Sequence, residues 1–467
     1  MFEIKISNVR GLPAEEYADL LSLINTYNHY SGKNRIKNKY YEGKISLNSV
    51  NLGIALPEGM RGLEIGCSWG AKTVDVLAAR SMFDGFVGVN GEDVAELDRI
   101  TDNNNLVDEY IKACRDELKY GCCFATLSDS DEGVKIRFHS PQMAAANWDG
   151  EKGRIRNGFA IIDTAPNNEK STEWTPSRIN YYTDDCIWVL QRYDTLWTAE
   201  AHPHKMGRPL MEALIWNATS DKPFGRSRIK EPIRRLIDGY VRTIANATIG
   251  LEFATSPQKY LLGADPQAFE HKTKWEAYIG NIFAVGRDRN GDLPQFGQLT
   301  QGTMQPHTDY MRALAARFAG ETNVPIAQLG IIHDQPASAE AIYAASEPLV
   351  IETEDFNDCA REALRNIALM ALAAKLDTPL ADLPPEYTDF VADFRNPAMP
   401  SVVSQTDAMV KIASVVPGFA GTSVFFEQIG FPEDMRRKTI AEIADAASRQ
   451  ATNAAVAAIF GGSAAQE

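Results

Sequence analysis

Apolar side chains recur along this chain with two different periods, and the switches between them mark its elements. Leu20, Leu21, Ile24 and Tyr27 fall three or four residues apart. That spacing predicts a first helix over residues 13–30, opened by Pro13, with Glu15 and Glu16 at its positive end. Lys33 to Gly43 reads as a short basic turn. Val74, Leu77, Ala78 and Met82 predict a second helix over Ala71–Phe83, and a third spans Leu106–Lys119. Cys122–Leu127, Val134–Phe138, Phe159–Ile162 and Ile187–Gln191 alternate or are short and apolar, with Gly and Asp turns between them. They predict strands, so the first half reads as α+β.

Proline and glycine punctuate residues 201–230, which predicts a connection. Helical period returns over Glu231–Ile249, where Ile233, Leu236, Ile237, Tyr240, Val241 and Ile244 share a face. At ~1.5 Å per residue that helix is ~28 Å long. Residues 253–304 lose the period. Tyr260–Leu262 and Ile282–Val285 read as strands, and Asn290-Gly291 marks a hairpin turn within Arg287–Asp292. A helix over Pro306–Ala319 precedes a stretch, 320–337, broken by Gly and Pro. A long helix over Ser338–Leu376 follows, with a break expected at Pro348, and prolines cluster over 379–400. The tail, 401–467, is helical and alanine-rich.

The chain has 467 residues, 44% hydrophobic and 23% charged. At roughly 150 residues per domain this suggests about three domains. The composition excludes disorder as the dominant state, and the length excludes a small disulfide scaffold. A net charge of −15 disfavours a surface that grips nucleic acid everywhere, while leaving room for local patches. Residues 225–252 carry six bases against three acids, and 338–395 carry twelve acids against four bases. No two of the six cysteines form a CxxC pair; Cys122 and Cys123, in an apolar run, read as small buried hydrophobes. No secretory signal and no membrane span are expected, and a reducing cytoplasm is the default compartment.

Several motifs imitate catalytic ones. Gly62-Leu-Glu-Ile-Gly-Cys-Ser-Trp-Gly resembles the first motif of S-adenosylmethionine-dependent methyltransferases, with Glu64, Gly66, Ser68 and Gly70 at its key positions. Against it, the preceding strand is short and polar, Trp69 is bulky, Asn90 stands where a carboxylate is wanted, and no βαβα series follows. A methyltransferase using the Gly66–Gly70 turn is kept as the alternative function. The same stretch lacks the Gly-Lys adjacency of a phosphate-binding loop, because Ala71 intervenes. His202 and His204 have no further ligands at zinc spacing, and no Gly-x-Ser-x-Gly elbow exists. Glu352, Glu354, Asp355 and Asp358 read as a solvated helix face. No catalytic, metal or cofactor residue is assigned, and no enzyme activity is expected.

An ordered set of segments resembles the SPP1-like portal proteins of tailed bacteriophages. It begins with Tyr40-Tyr-Glu-Gly, then Trp69-Gly-Ala-Lys-Thr-Val-Asp-Val-Leu-Ala-Ala-Arg to Gly85-Phe86, then Asn104-Asn-Leu-Val-Asp through Tyr120-Gly-Cys-Cys-Phe. His139-Ser-Pro-Gln-Met leads to Asp149. The longest block comprises Pro203-His-Lys-Met-Gly-Arg-Pro, Phe224-Gly-Arg-Ser-Arg-Ile, Leu236-Ile-Asp-Gly-Tyr-Val-Arg-Thr and Glu252-Phe-Ala-Thr-Ser-Pro-Gln-Lys-Tyr-Leu-Leu-Gly. Ala313-Leu-Ala-Ala-Arg-Phe, Val324-Pro, Leu329-Gly and Ser338-Ala-Glu-Ala-Ile complete it. The resemblance covers residues 40–375.

The resemblance implies a portal fold: an N-terminal wing over 1–223, a first stem helix within 224–252, a small β-containing clip over 253–304 and a second stem helix over 305–319. It also implies a tunnel loop over 320–337, a long helix and wing return over 338–400, and a helical crown over 401–467. It implies a ring of about twelve copies closed by head-to-tail contacts at one capsid vertex. Double-stranded DNA would pass through that ring, without sequence readout, during packaging and ejection. Implied partners are the terminase large subunit, the major capsid and scaffold proteins and a head–tail adaptor. The implied location is the virion, with the host cytoplasm during assembly. Candidate DNA contacts on the tunnel loop are Gln328, His333 and Gln335. Candidate clip contacts, to DNA or the motor, are Lys259, Lys272, Lys274, Arg287 and Arg289. Stem residues Arg234, Arg235 and Arg242 are expected to meet acids of neighbouring copies or the shell.

Overall fold

A succession of strands, the longest of thirteen residues, builds the largest sheet among the described residues. The computed structural model describes residues 3–46, 64–89, 94–130, 133–166, 174–194, 196–255, 259–262, 295–298, 303–330, 338–398, 402–431 and 433–461. They divide into two compact units, Met1–Pro397 and Ala398–Glu467. The first unit opens with β1 (Val9–Arg10), α1 (Ala14–Tyr41), β2 (Lys44–Ser46), β3 (Glu64–Gly66), α2 (Trp69–Ala78), β4 (Phe83–Gly88), α3 (Ala95–Asn104) and α4 (Leu106–Tyr120). A run of strands follows: β5 (Cys122–Ser128), β6 (Lys135–His139), β7 (Ala144–Asp149), β8 (Arg154–Pro166), β9 (Trp174–Tyr182), β10 (Cys186–Tyr193), β11 (Leu196–Pro203) and β12 (Met211–Ile215).

The six-stranded sheet has the order β1-β11-β10-β9-β8-β7. Consecutive strands from β7 to β11 pair antiparallel, as hairpin connections require, and β1 joins the edge parallel to β11. The N-terminal half of α1 lies on this sheet. Leu20, Leu23, Ile24 and Tyr27 bury against Phe159, Ile179, Tyr181 and Trp197. Each such side chain contributes about 1.5–3 kcal/mol on leaving water. A smaller sheet, β12-β5-β6, packs with α4 and carries Cys122 and Cys123 fully inside, in line with their apolar context.

The first helix does not stop at residue 30. It continues through the stretch read as a basic turn to Tyr41. No proline interrupts it, and three tertiary anchors hold its last turns. Lys37 Nζ donates to the Tyr120 carbonyl at 2.8 Å, Tyr40 Oη to Asp238 at 2.7 Å and Tyr41 Oη to Asp75 at 2.9 Å. The second helix starts two residues early and ends at Ala78. Phe83 instead enters β4, which pairs antiparallel with β15 (Phe390–Phe394). Residues 201–215 are also not a plain connection, because β11 extends to Pro203 and β12 pairs with β5 over Met211–Ile215.

After β12 come α5 (Glu231–Thr255), the ribbon β13 (Lys259–Leu262) and β14 (Gln295–Gln298), α6 (Gln305–Thr322) and α7 (Ala339–Lys375), and then β15. The helix at 231 runs six residues beyond its predicted end. Pro348 sits inside α7 without ending it. Only one backbone donor is lost there, and the carbonyl it frees belongs to the exposed Ala344, within reach of water. The expected strand Ile282–Val285 and turn Arg287–Asp292 lie outside the described residues. In the second unit, α8 (Val402–Val415), α9 (Ser423–Gln428) and α10 (Glu433–Gly461) give the helical tail its form, with Phe426 packed among Phe425 and Phe431.

Candidate functional site

The pair α5 and α6 runs antiparallel. Gly239 faces Leu314, and further along α5 Gly250 faces Met304, earlier in α6. Their apolar stripes meet through Ile233, Ile237, Val241, Leu314, Ala315 and Phe318. Trp69, from the start of α2, closes this core. Its ring stacks on Tyr240 at 4.1 Å and 25°, and tilts against Phe318 at 4.8 Å. Such pairs add about 0.5–1.5 kcal/mol beyond burial. On the adjoining side Asp238 accepts the Tyr40 hydroxyl. Burial raises the Asp238 pKa despite that bond and the nearby Arg235 and Arg234. Burial and Asp238 together raise the Tyr40 phenol.

The segment ahead of α5 is stitched to the end of α4 and to the residue that follows β12. Arg226 N donates to the Trp216 carbonyl at 3.0 Å, Ser227 Oγ to the Lys119 carbonyl at 2.6 Å and Arg228 N to the Leu118 carbonyl at 2.9 Å. Gly225 makes the approach with φ +68°, and a Cβ there would stand 2.1 Å from the Trp216 carbonyl oxygen. Only glycine fits. This lacing aims Arg228 inward, where it is 5% exposed. Its Nη1 pairs with Glu352 Oε1 at 2.6 Å, and its Nη2 donates to the Thr322 carbonyl at 2.6 Å. Thr322 ends α6, and Asn323 follows with φ +54° as a left-handed cap. Asn323 Nδ2 then donates to Glu352 Oε2 at 3.0 Å. One guanidinium and one carboxylate thus fasten the approach to α5, the end of α6 and the first half of α7. Burial lowers the Arg228 pKa and Glu352 opposes the shift. With an ordinary arginine pKa above about 12, the group stays cationic.

The chain leaving this junction is anchored on both sides of a single turn. Val324 and Leu329 are buried with Trp69 and Phe318. Between them Ile326–Leu329 forms a 3-10 turn in which Gln328 N donates to the Pro325 carbonyl at 2.9 Å. The Gln328 side chain is exposed. His333 and Gln335 lie outside the described residues. Lys259 opens β13 opposite Gln298, and its side chain is not among those described. Lys272, Lys274, Arg287 and Arg289 lie outside the described residues. Gln328 follows the end of α6 beside the start of α5, whereas Lys259 follows the end of α5. The 25-residue α5 therefore separates Gln328 from Lys259 by about 37 Å.

The three arginines singled out on α5 differ among themselves. Arg235 pairs with Glu231 one turn earlier on its own helix, and Arg234 lies over the Tyr40 ring. Arg242 is half-buried. Sequence reading missed the Arg228 junction. Arg228 and Glu352 are far apart in the chain, and the acids around Glu352 share its polar context, which predicts a solvated face. Glu354, Asp355 and Asp358 are exposed as expected, while Glu352 is half-buried and paired. The usable signal was the Gly-Arg-Ser-Arg run directly before a helix, whose partner no local pattern names.

The glycine turn at Gly66–Gly70 is filled by the protein itself. β3 does not enter a parallel sheet but pairs antiparallel with β2 in a two-stranded ribbon. Trp69 is 3% exposed, and a Cβ on Gly70 would lie 2.1 Å from the Tyr40 carbonyl oxygen. Close backbone packing, not cofactor access, is what Gly70 serves. Among the described residues no group of His, Cys, Asp or Glu is placed to hold a metal ion, and no helix is long and apolar enough to cross a membrane.

The family model for phage portal proteins, SPP1 Gp6-like, matches residues 12–415. The chain belongs to that family. The family is structural, not enzymatic, and the methyltransferase alternative finds no support. The portal protein of Mycobacterium phage D29 is 25% identical over 429 residues, covering 86% of this chain and 84% of that protein. The portal protein of Mycobacterium phage L5 is 25% identical over 383 residues, covering 77% and 75%. Among solved structures, a chain from the neck of a native gene transfer agent particle aligns at TM-score 0.43 and 13% identity, covering 78% of this chain and 90% of that one. The neck of the empty particle gives TM-score 0.44 at 12% identity, with the same coverage.

Proposed function

We propose that copies of this chain form a ring at one vertex of a tailed-phage capsid, through which double-stranded DNA is packaged and later ejected. The observation that carries this reading is the family match over residues 12–415. In this reading α5 and α6 are the stem, residues 253–304 the clip, 320–337 the tunnel loop, and 401–467 the crown. The ring docks the terminase large subunit during packaging and a head–tail adaptor afterwards, with major capsid and scaffold proteins around it. It is assembled in the host cytoplasm and retained in the virion.

The charge pattern supports a conduit over a DNA clamp. Duplex DNA carries one charge per ~1.7 Å, and each phosphate neutralised adds salt-dependent affinity, so a bore for moving DNA is best left acidic with few cations. The chain's net charge of −15 suits that task. Gln328, His333 and Gln335 would touch phosphates transiently, Gln328 from a turn whose root is held by Arg228 and Glu352. Lys259, Lys272, Lys274, Arg287 and Arg289 would face the motor or DNA at the other end of the stem.

Negative-stain microscopy of the purified chain tests the ring, with annular particles and an axial hole expected. A Gln328→Ala/His333→Ala double variant should leave rings intact while lowering DNA filling or retention in particles. Unchanged filling and retention would remove the loop contact but not the ring.

A further inference from the structure

Two exposed helix faces of the first unit carry opposite charge. From Leu20 to Tyr41, α1 holds Lys33, Arg35, Lys37 and Lys39 and not one acid. Lys37 turns inward to the Tyr120 carbonyl. Lys33, Arg35 and Lys39 are exposed, beside Tyr30 and Ile36, which are 51% and 45% exposed. On α7, seven acids and one base lie between residues 340 and 362. Tyr343, Glu347, Ile351, Glu354, Asp358 and Glu362 recur at spacings of three and four, so they share one face, with Asp355 beside it. All are exposed, Ile351 at 53%. The opposite face, with Leu349, Thr353, Phe356 and Ala360, is fully buried. Asp358 is paired with Arg361 on the same helix. Among the described residues, Glu347, Glu354, Asp355 and Glu362 have no ion-pair partner, and neither have Lys33, Arg35 and Lys39.

We infer that the cationic face of α1 docks on the acidic face of α7 in a second copy of this chain. This deepens the ring reading above and rests on it for closure. Each face is repelled by its own kind, so a two-fold contact of either face with itself is disfavoured. Two different faces that attract can join head to tail, and such contacts give a ring when the rotation between copies closes. The apolar residues within both stripes, Tyr30 and Ile36 against Ile351, give the contact surface to bury at its centre, while the charges fix register and exclude wrong pairings. A face built only for phosphates would need the cations without the apolar side chains. The α1 patch from Tyr30 to Lys39 spans about 14 Å and the α7 stripe from Tyr343 to Glu362 about 28 Å, so the acidic stripe is long enough to receive it. Because both faces are exposed before docking, the contact is screened by salt.

The test uses the full chain and three proteins. The first is wild type, the second Lys33→Glu/Arg35→Glu/Lys39→Glu, the third Glu347→Lys/Glu354→Lys/Asp355→Lys. Native mass spectrometry and sedimentation read the assembly state, and circular dichroism confirms that each variant is folded. Wild type should form rings that come apart at progressively higher protein concentration as salt rises. Each variant alone, now carrying two like-charged faces, should lose ring formation. Their equimolar mixture should regain it, with the two chains alternating around the ring. Rings formed by either variant alone overturn the inference, as does a folded mixture that stays monomeric. Intact rings with weakened duplex DNA binding in the α1 variant would assign that face to a polyanion instead. A wild type that never assembles overturns the ring reading itself and is thereby distinguished.

Discussion

Glu117 lies on α4 with 0% exposure, and among the described residues neither carboxylate oxygen has a hydrogen-bond partner. An ionised carboxylate in that position would be far costlier than a neutral acid. Burial accordingly raises its pKa well above the ordinary value. The sign follows from proton binding. The folded chain holds a proton on Glu117 that the unfolded chain releases above about pH 4.3, so this group costs stability increasingly as pH rises from there. Glu117→Gln should flatten that decline, by about 1.4 kcal/mol for each unit of displaced pKa. Urea denaturation at a series of pH values from 4 upwards reads the difference in slope, and parallel curves for the two proteins would contradict the assignment. Arg228 meets the same burial in the opposite way, by keeping its charge and finding Glu352 and the Thr322 carbonyl. His139 takes the neutral route. Burial and Arg137 pull its pKa down to about 4, and its Nε2 lies 2.9 Å from Thr126 Oγ1.

Helices here are positioned less by their own propensity than by single side chains inserted between them. Trp69 does this for α2, α5 and α6, with partners on both later helices. Replacing it with alanine removes a ring that is 3% exposed and leaves a cavity among helices that cannot collapse onto it. Trp69→Ala should destabilise the first unit by about 3–5 kcal/mol. The measurement is equilibrium denaturation, and a loss below 1 kcal/mol would show that the helix pair is held elsewhere. The same logic explains why α1 outruns its periodic stripe. Beyond Tyr27 it is held by polar contacts of Asn34, Lys37, Tyr40 and Tyr41, the two tyrosine rings also packing against the core. A hydrophobic period cannot report the polar contacts, so that stretch reads as a turn when only the sequence is in view.

At the scale of the whole molecule the two units are unequal in what they bury. The first holds three hydrophobic clusters, and β15 returns late in the chain to pair with β4, closing the largest of them. In the second unit Val410, Val415 and Ile443 are among several apolar side chains left exposed on its helices. A chain ended at Pro397 should therefore keep a cooperative thermal transition by circular dichroism, at a midpoint within a few degrees of the full chain's. Loss of that transition would show that residues 398–467 are needed to fold the rest.

The apolar period alone set which stretches become α4, α5, α6 and α7, because a stripe at helical spacing needs only one partner surface of any kind. The order of motifs set the family, since those around Tyr40, Trp69, Phe224 and Leu236 are legible without coordinates. Tertiary structure decided what those motifs do. The glycines near Trp69 and Phe224 are places where two backbones touch, Tyr40 against Gly70 and Trp216 against Gly225. It also decided which acid of α7 turns inward to Arg228 while its neighbours face out. Period and composition state that a side chain prefers a face; only the packed chain brings the particular partner that gives the face its use.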